Sequence, residues 1–459
     1  MSRKLSYSVD DDSNDLVKKY EQYLAGSANG YFDVEELGSI VEYYLRRGRT
    51  KDSANALEFG FKLHPNSNVL KAKRAKTYLA TGDETKALRI LDSLTETSDY
   101  EVLLLKVEVL VKMERLQDAK LLIEEIIAQE NYDIDNVCLD IAFVFLSRAE
   151  YSEALSILEK GDAVNPKNID LLFELAFCYE QNSDYEKAIV TYNRIIDIDS
   201  YTDEAWFNLG QIYFALQDFH KALEAYEFAQ TIDENDSLTC LQKGHVHFQL
   251  DQFEQAIECY TDYKRMTSNL WETEIFIAEC LEKMERYEES IVSYKQSLSV
   301  HPNSYDALTG IGICLLELEK FVESKEYIEQ ALAIDPDAAD AWVYLAEAFI
   351  GLDETEHALE AYLKSVALDI DQPDTLMAIA NIYLEKYDYE SALRYYIDAQ
   401  ALDGTLEYID LFIGVVYFKM DMVLEAIPYL KKAVDENDQS ADLFLELCPE
   451  AIDKLLLDK

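Results

Sequence analysis

The sequence contains no CxxC pair, and its seven cysteines are an odd number. Neither a zinc ribbon nor a complete disulfide framework fits that count, and free thiols fit a reducing compartment. Histidine is also scarce, with six residues. His245 and His247 stand two apart, so a helix would turn them to different faces, and His247 has the place of a packing tyrosine. No Ser–His–Asp set, P-loop, glycine-rich dinucleotide turn or zinc spacing occurs, so no catalytic residue, cofactor or metal is expected. No apolar run approaches the ~18 residues that a membrane span needs. The opening MSRKLSYSVDDD has no apolar core of a secretory leader, which leads to the expectation of a cytoplasmic protein. Positive charge is short as well: 41 Lys and Arg face 90 Asp and Glu, a formal −49. A surface so acidic repels phosphate backbones and anionic headgroups over most of its area.

What is plentiful is apolar and aromatic material, 49% and 12% of residues, enough to bury a continuous core. It is distributed periodically. In the stretch 203–236, Trp206, Leu209, Gly210 and Tyr213 form a helical stripe. After a turn at Gln217 and Asp218 come Phe219, Ala222, Tyr226 and Ala229, again at helical spacing. From Asp135 the same 34-residue register recurs nine times without insertion or deletion. A small residue marks the first helix of each segment (Ala142, Ala176, Gly210, Gly244, Ala278, Gly312, Ala346, Ala380, Gly414). Another marks the second helix (Ala154, Ala188, Ala222, Ala256, Ser290, Ser324, Ala358, Ala392, Ala426). Small side chains there let paired helices approach closely. Pro166, Pro302 and Pro336 close segments where the second helix must stop. Cys178, Cys280 and Cys314 share one place, two residues after the small residue of the first helix, where a thiol acts as a small hydrophobe.

These residues resemble the tetratricopeptide repeat, a helix–turn–helix unit of about 34 residues. The resemblance covers nearly the whole chain. It implies an all-α, right-handed α-solenoid of twelve helical hairpins with capping helices. The expected layout is a flexible tail and capping helix over 1–33, with the helix starting near Asp15. Three irregular repeats with a basic patch follow over 34–134, then nine regular repeats over 135–440. A C-terminal capping helix is expected over 441–459, with Phe444, Leu447, Ala451 and Leu455 inward and Asp442, Glu446, Glu450 and Asp453 outward. Solenoids of this kind hold other proteins, so a non-enzymatic scaffold or adaptor for a protein or peptide is expected.

The same resemblance implies that places two, five, six, nine and twelve of each first helix line the inner groove. Chaperone-tail binders of the family set lysine, arginine and asparagine there as a carboxylate clamp. Here Asn208 alone fits, beside Gln211, and no paired lysine or arginine does. The mid-chain groove is instead aromatic: Phe143, Phe173, Phe177, Phe207 and Phe214. Phenylalanines on such a wall fit an extended or helical apolar segment. The alternative is that Phe173 and Phe207 simply pack between neighbouring first helices.

A second feature breaks the acidic pattern. Between Arg46 and Lys76 stand nine Lys/Arg (Arg46, Arg47, Arg49, Lys51, Lys62, Lys71, Lys73, Arg74, Lys76) and only two acids, a local +7. Lys71 and Arg74 hold places where large apolar residues belong. Two readings stay open: pairing within the chain or with another copy, or docking on an acidic protein or exposed RNA.

Overall fold

The structure is a computed structural model, and it describes residues 6–26, 31–94, 99–129, 132–268, 270–437, 439–449 and 451. Among these residues there are twenty-six helices and no strand. The first, Ser6–Leu24, and the last, Gln439–Leu447, flank twelve consecutive helix pairs. The chain divides into two units, Met1–Leu216 and Gln217–Lys459.

In the N-terminal unit the first helices of the pairs are Val34–Arg46, Asn68–Ala80, Tyr100–Lys112, Ile134–Leu146, Ile169–Gln181 and Asp203–Ala215. In the C-terminal unit they are Ser237–Gln249, Leu270–Lys283, Tyr305–Glu317, Ala339–Gly351, Pro373–Glu385 and Ile409–Lys419. Within each unit a second helix packs on its own first helix and on the first helix of the next pair, as Phe321–Ile334 does between Tyr305–Glu317 and Ala339–Gly351. That stacking makes an α-solenoid, in which each hairpin buries its apolar stripe only against its neighbours.

Close approach of the paired helices rests on the small residues. A Cβ placed on Gly312 would lie 2.5 Å from Cγ1 of Ile328 on the facing helix. The two serines that replace alanine on second helices are fully buried. Each donates to a carbonyl of the facing first helix, Ser290 Oγ to Ala278 O and Ser324 Oγ to Gly312 O, both at 2.8 Å. A hydroxyl fits this dry contact because the small residue opposite leaves its carbonyl within reach.

The turn between paired helices has a constant backbone that composition does not reveal. Its residue takes a left-handed φ in every pair, yet only Gly48 and Gly82 are glycine. Glu114, Ala149, Ser183, Gln217, Asp251, Glu285, Glu319, Asp353, Tyr387 and Asp421 take the same conformation at φ between 55° and 60°. The next amide then caps the first helix by a long reach back, Arg286 N to Leu281 O and Lys320 N to Leu315 O, each 2.8 Å. This is the Schellman arrangement, which satisfies carbonyls that a helix end leaves open. Glycine is dispensable at most of these turns because packing of the two helices holds the conformation.

The first helix of the twelfth pair starts at Ile409, after Tyr408 at φ +62°. Two expectations are corrected. The N-terminal helix starts at Ser6, not near Asp15. The C-terminal helix stops at Leu447, because Pro449 follows Cys448 and cannot extend it. Residues 1–5, residues 27–30 and, of the expected cap, Glu450, Asp453 and Leu455 lie outside the described residues.

Candidate protein-binding groove

Three successive first helices of the N-terminal unit, Ile134–Leu146, Ile169–Gln181 and Asp203–Ala215, carry the aromatic set. The core residues beside each phenylalanine are already in place: Ala142, Leu172, Ala176, Cys178 and Leu209 are all buried. Phe143 and Phe177 are nevertheless 46% and 39% exposed. Phe173, Phe207 and Phe214 are half-buried, as is Asn208, while Gln211 is exposed. The Phe177 ring meets Tyr151 edge-on at 5.9 Å, and Phe173 meets Tyr192 at 6.1 Å. Phe173 and Phe207, both at place five, therefore share packing and exposure, whereas Phe143 and Phe177 are the more exposed rings.

Carboxylates stand beside these rings. Glu174 and Glu180 lie on the same helix as Phe173 and Phe177, and burial pushes both above the usual carboxylate range. Glu180 accepts from the Tyr192 phenol at 2.5 Å. Burial first, then Glu180, pushes that phenol far up, so it stays protonated, with Asn208 as a further hydrogen-bond partner. Tyr192 comes from a second helix, so its hydroxyl reaches through to the polar residues of the first-helix face. Other pairs repeat the device. Tyr294 donates to Glu282 at 3.1 Å, Tyr396 to Asn381 at 2.5 Å, and Tyr260 meets His245 Nδ1 at 2.9 Å. The 34-residue spacing of Tyr192, Tyr226, Tyr260 and Tyr294 was the sequence signal for this row. It is read as plain core unless the polar end is traced.

In the C-terminal unit the first-helix face gathers acids. Burial, then Glu282 and Asp306, pushes Glu279 up to about 7. The buried cysteines behave as small hydrophobes: burial pushes the thiols of Cys178, Cys280 and Cys314 up to about 12, far from the reactive thiolate range. His247 bonds Gln252 at 2.7 Å beside its own turn. No group of metal-ligating side chains occurs among the described residues.

The basic end is mostly engaged inside the chain. Lys73 and Lys76 both bond Oε1 of Glu42, at 2.9 and 3.1 Å. Against the upward push of burial, these two lysines hold Glu42 down to about 2. Arg49 pairs with Asp52 at 2.7 Å and Glu21 at 3.4 Å. Arg47 lies over Tyr43 and Arg74 over Phe61, at 4.1 and 4.2 Å, which explains how Arg74 fills an apolar place. Lys71 reaches Asn68 at 3.4 Å. Arg46 is exposed and lines a cavity of about 260 Å³ with Lys76, Lys112, Glu42 and Glu108. Counting charge between Arg46 and Lys76 missed Glu42, which sits one turn earlier on the preceding first helix.

No helix of the described residues is long and apolar enough to cross a membrane. The tetratricopeptide repeat family models match residues 145–209, 203–236, 238–269 and 315–373. No curated protein sequence matches the chain. Among solved structures, it is similar to the C-terminal part of a TPR repeat-containing protein from Cytophaga hutchinsonii. That likeness has 16% identity over 52% of this chain and 97% of that one, with a TM-score of 0.45. It is also similar to a chain of the APC/C hetero-tetramer Cut9–Hcn1, with 14% identity over 87% of this chain and 98% of that one and a TM-score of 0.40. A third is YrrB, described as a TPR protein with an unusual peptide-binding site, with 18% identity over 41% and 96% and a TM-score of 0.35.

Proposed function

The chain is a tetratricopeptide repeat protein, and on that premise we propose that it is a non-enzymatic scaffold whose first-helix groove holds a segment of another protein. The observation that carries this reading is the exposure of Phe143 and Phe177 beside a filled core. Large apolar side chains clustered at the surface of a well-packed array cost solubility unless they are used. Half-buried Glu174 and Glu180 alongside them favour a segment that presents apolar side chains with basic ones between. A reducing, cytoplasmic setting suits the seven free cysteines.

The test is a double substitution, Phe177→Ser with Phe214→Ser, titrated against the partner captured from native extract. Burying one exposed phenylalanine is worth ~1.5–3 kcal/mol, and interface energy concentrates in a few such anchors. Affinity should fall at least ~tenfold, roughly 1.4 kcal/mol, with helical content almost unchanged. If the variant unfolds while affinity per folded molecule stays the same, these rings are core.

A second reading is docking of the basic N-terminal end on an acidic protein or a ribonucleoprotein, favoured by exposed Arg46 at the cavity mouth. Charge-driven docking weakens steeply with salt, whereas apolar groove binding changes little. Because Lys73 and Lys76 are committed to Glu42, the informative reversals are Arg46→Glu and Lys51→Glu. A partner that binds these variants equally well at low and high salt removes the second reading.

A further inference from the structure

Among the described residues, the C-terminal unit ends on an apolar face that helix Gln439–Leu447 does not cover. Helix Val423–Glu436 is followed by Gln439–Leu447, which Pro449 cuts to nine residues where other first helices have eleven to fourteen. A groove of about 630 Å³ remains between them, lined by Ile427, Leu430, Val434, Ala441, Phe444 and Leu445. Leu424, on the same face of the helix, is 81% exposed, and Ile427, Val434 and Leu445 are exposed as well. Among the described residues these side chains have no cover, whereas every internal second helix in the unit packs on a further first helix.

We propose that the cover is a second copy of this chain, related by a two-fold axis through the groove. Reciprocal charge favours this occupant. Lys431 and Asp435 line this groove one helical turn apart, both are exposed, and neither has an ion-pair partner among the described residues. The adjacent Lys432 is committed inward to buried Asp410 at 2.6 Å. Two antiparallel copies of the helix crossing beside Val434 bring Lys431 of each copy to Asp435 of the other. The apolar residues meet around the axis, as an isologous interface requires. A foreign partner has no need for opposite charges placed symmetrically about one point.

The sign of the salt effect follows from the whole molecule. Each copy has a formal −49, so the long-range force between copies is repulsive and salt screens it. Dimerisation through an apolar patch therefore strengthens as ionic strength rises, opposite to charge-driven docking.

The experiment is sedimentation velocity on the full chain up to roughly 100 µM, a level that saturates a dimer of micromolar Kd, at low and high salt. A dimer that tightens with salt is expected. Lys431→Glu alone and Asp435→Lys alone should each weaken it at least ~tenfold. The combined swap should return Kd to within ~threefold of the parent, because each reversed charge again meets its opposite. These exposed substitutions leave the core untouched, so a folding defect does not obscure the result. A monomer at every concentration and salt level overturns the proposal; the groove is then covered by residues after Ala451 or by another protein. A dimer that the combined swap fails to restore overturns it too, since the contact would lie elsewhere.

Discussion

Gly312 gives the sharpest test of how paired helices meet. Its Cβ position lies 2.5 Å from Cγ1 and 3.2 Å from Cδ1 of Ile328. Ile328 is fully buried in one core cluster with Leu332, Ala341 and Leu345, so making room for a Cβ displaces packed neighbours. Overpacking of this kind costs ~1–3 kcal/mol. Alanine recovers about 1 kcal/mol from helix propensity, so Gly312→Ala should destabilise by about 0–2 kcal/mol. Gly312→Leu adds three more heavy atoms to the same gap, and should reach or exceed the upper end of the ~1–3 kcal/mol range. Ile328→Ala alone should cost ~2–5 kcal/mol by opening a cavity. Combined with Gly312→Leu it vacates the space that leucine needs, so the pair should cost less than the sum by about 1 kcal/mol or more. Repeat arrays open locally, so hydrogen exchange is the assay. Protection should fall most across 305–334 and then in the adjoining pairs within 271–372. Unchanged exchange there, or strictly additive costs, would refute a direct Gly312–Ile328 contact.

Glu279, pushed up to about 7 by burial and its acidic neighbours, should make the C-terminal unit less stable as pH rises from its unfolded value, ~4.3, to 7, because the unfolded state ionises first. Glu279→Gln should therefore raise the thermal midpoint at pH 8 and leave it unchanged at pH 4; equal gains at both pH values would discount the charge. Glu42 works in the other direction. Held at about 2 by Lys73 and Lys76, it contributes stability that is present above its unfolded value and lost as pH falls through 2. Lys73→Met should move acid unfolding of the N-terminal unit to higher pH, a shift that circular dichroism on acid titration would detect. At the turns, Glu319→Gly should stabilise by up to ~1 kcal/mol, since φ +55° is strained for a side-chain-bearing residue; destabilisation on urea titration would mean that glutamate makes a compensating contact.

The repeat itself was legible because a solenoid writes its core locally. Small residue, aromatic and proline recur at fixed offsets, and each contact they make is with the next thirty or so residues. The turn at Gln217 and Asp218 was legible from the register with neither proline nor glycine to mark it, whereas the break before Pro449 was missed. The constant left-handed turn is spelled by Glu, Gln, Ala, Ser, Asp and Tyr, because packing rather than side-chain type holds it. Pro449 was in plain view, but the apolar spacing of Phe444, Leu447 and Ala451 outweighed it in a reading by periodicity alone.

Exposure and partner choice belonged to tertiary structure. Place in the repeat marked Phe173 rather than Phe177 as a packing candidate, but only the structure shows Phe177 39% exposed and Phe173 half-buried against Tyr192. The basic +7 stretch left pairing within the chain and docking both open; Glu42, thirty-one residues before Lys73, takes two of its charges. The open groove at Ile427 and Val434 exists only because the following helix is short. Periodicity fixes which residues share a face; the reach of each neighbouring helix and side chain decides whether that face is core, ion pair or open surface.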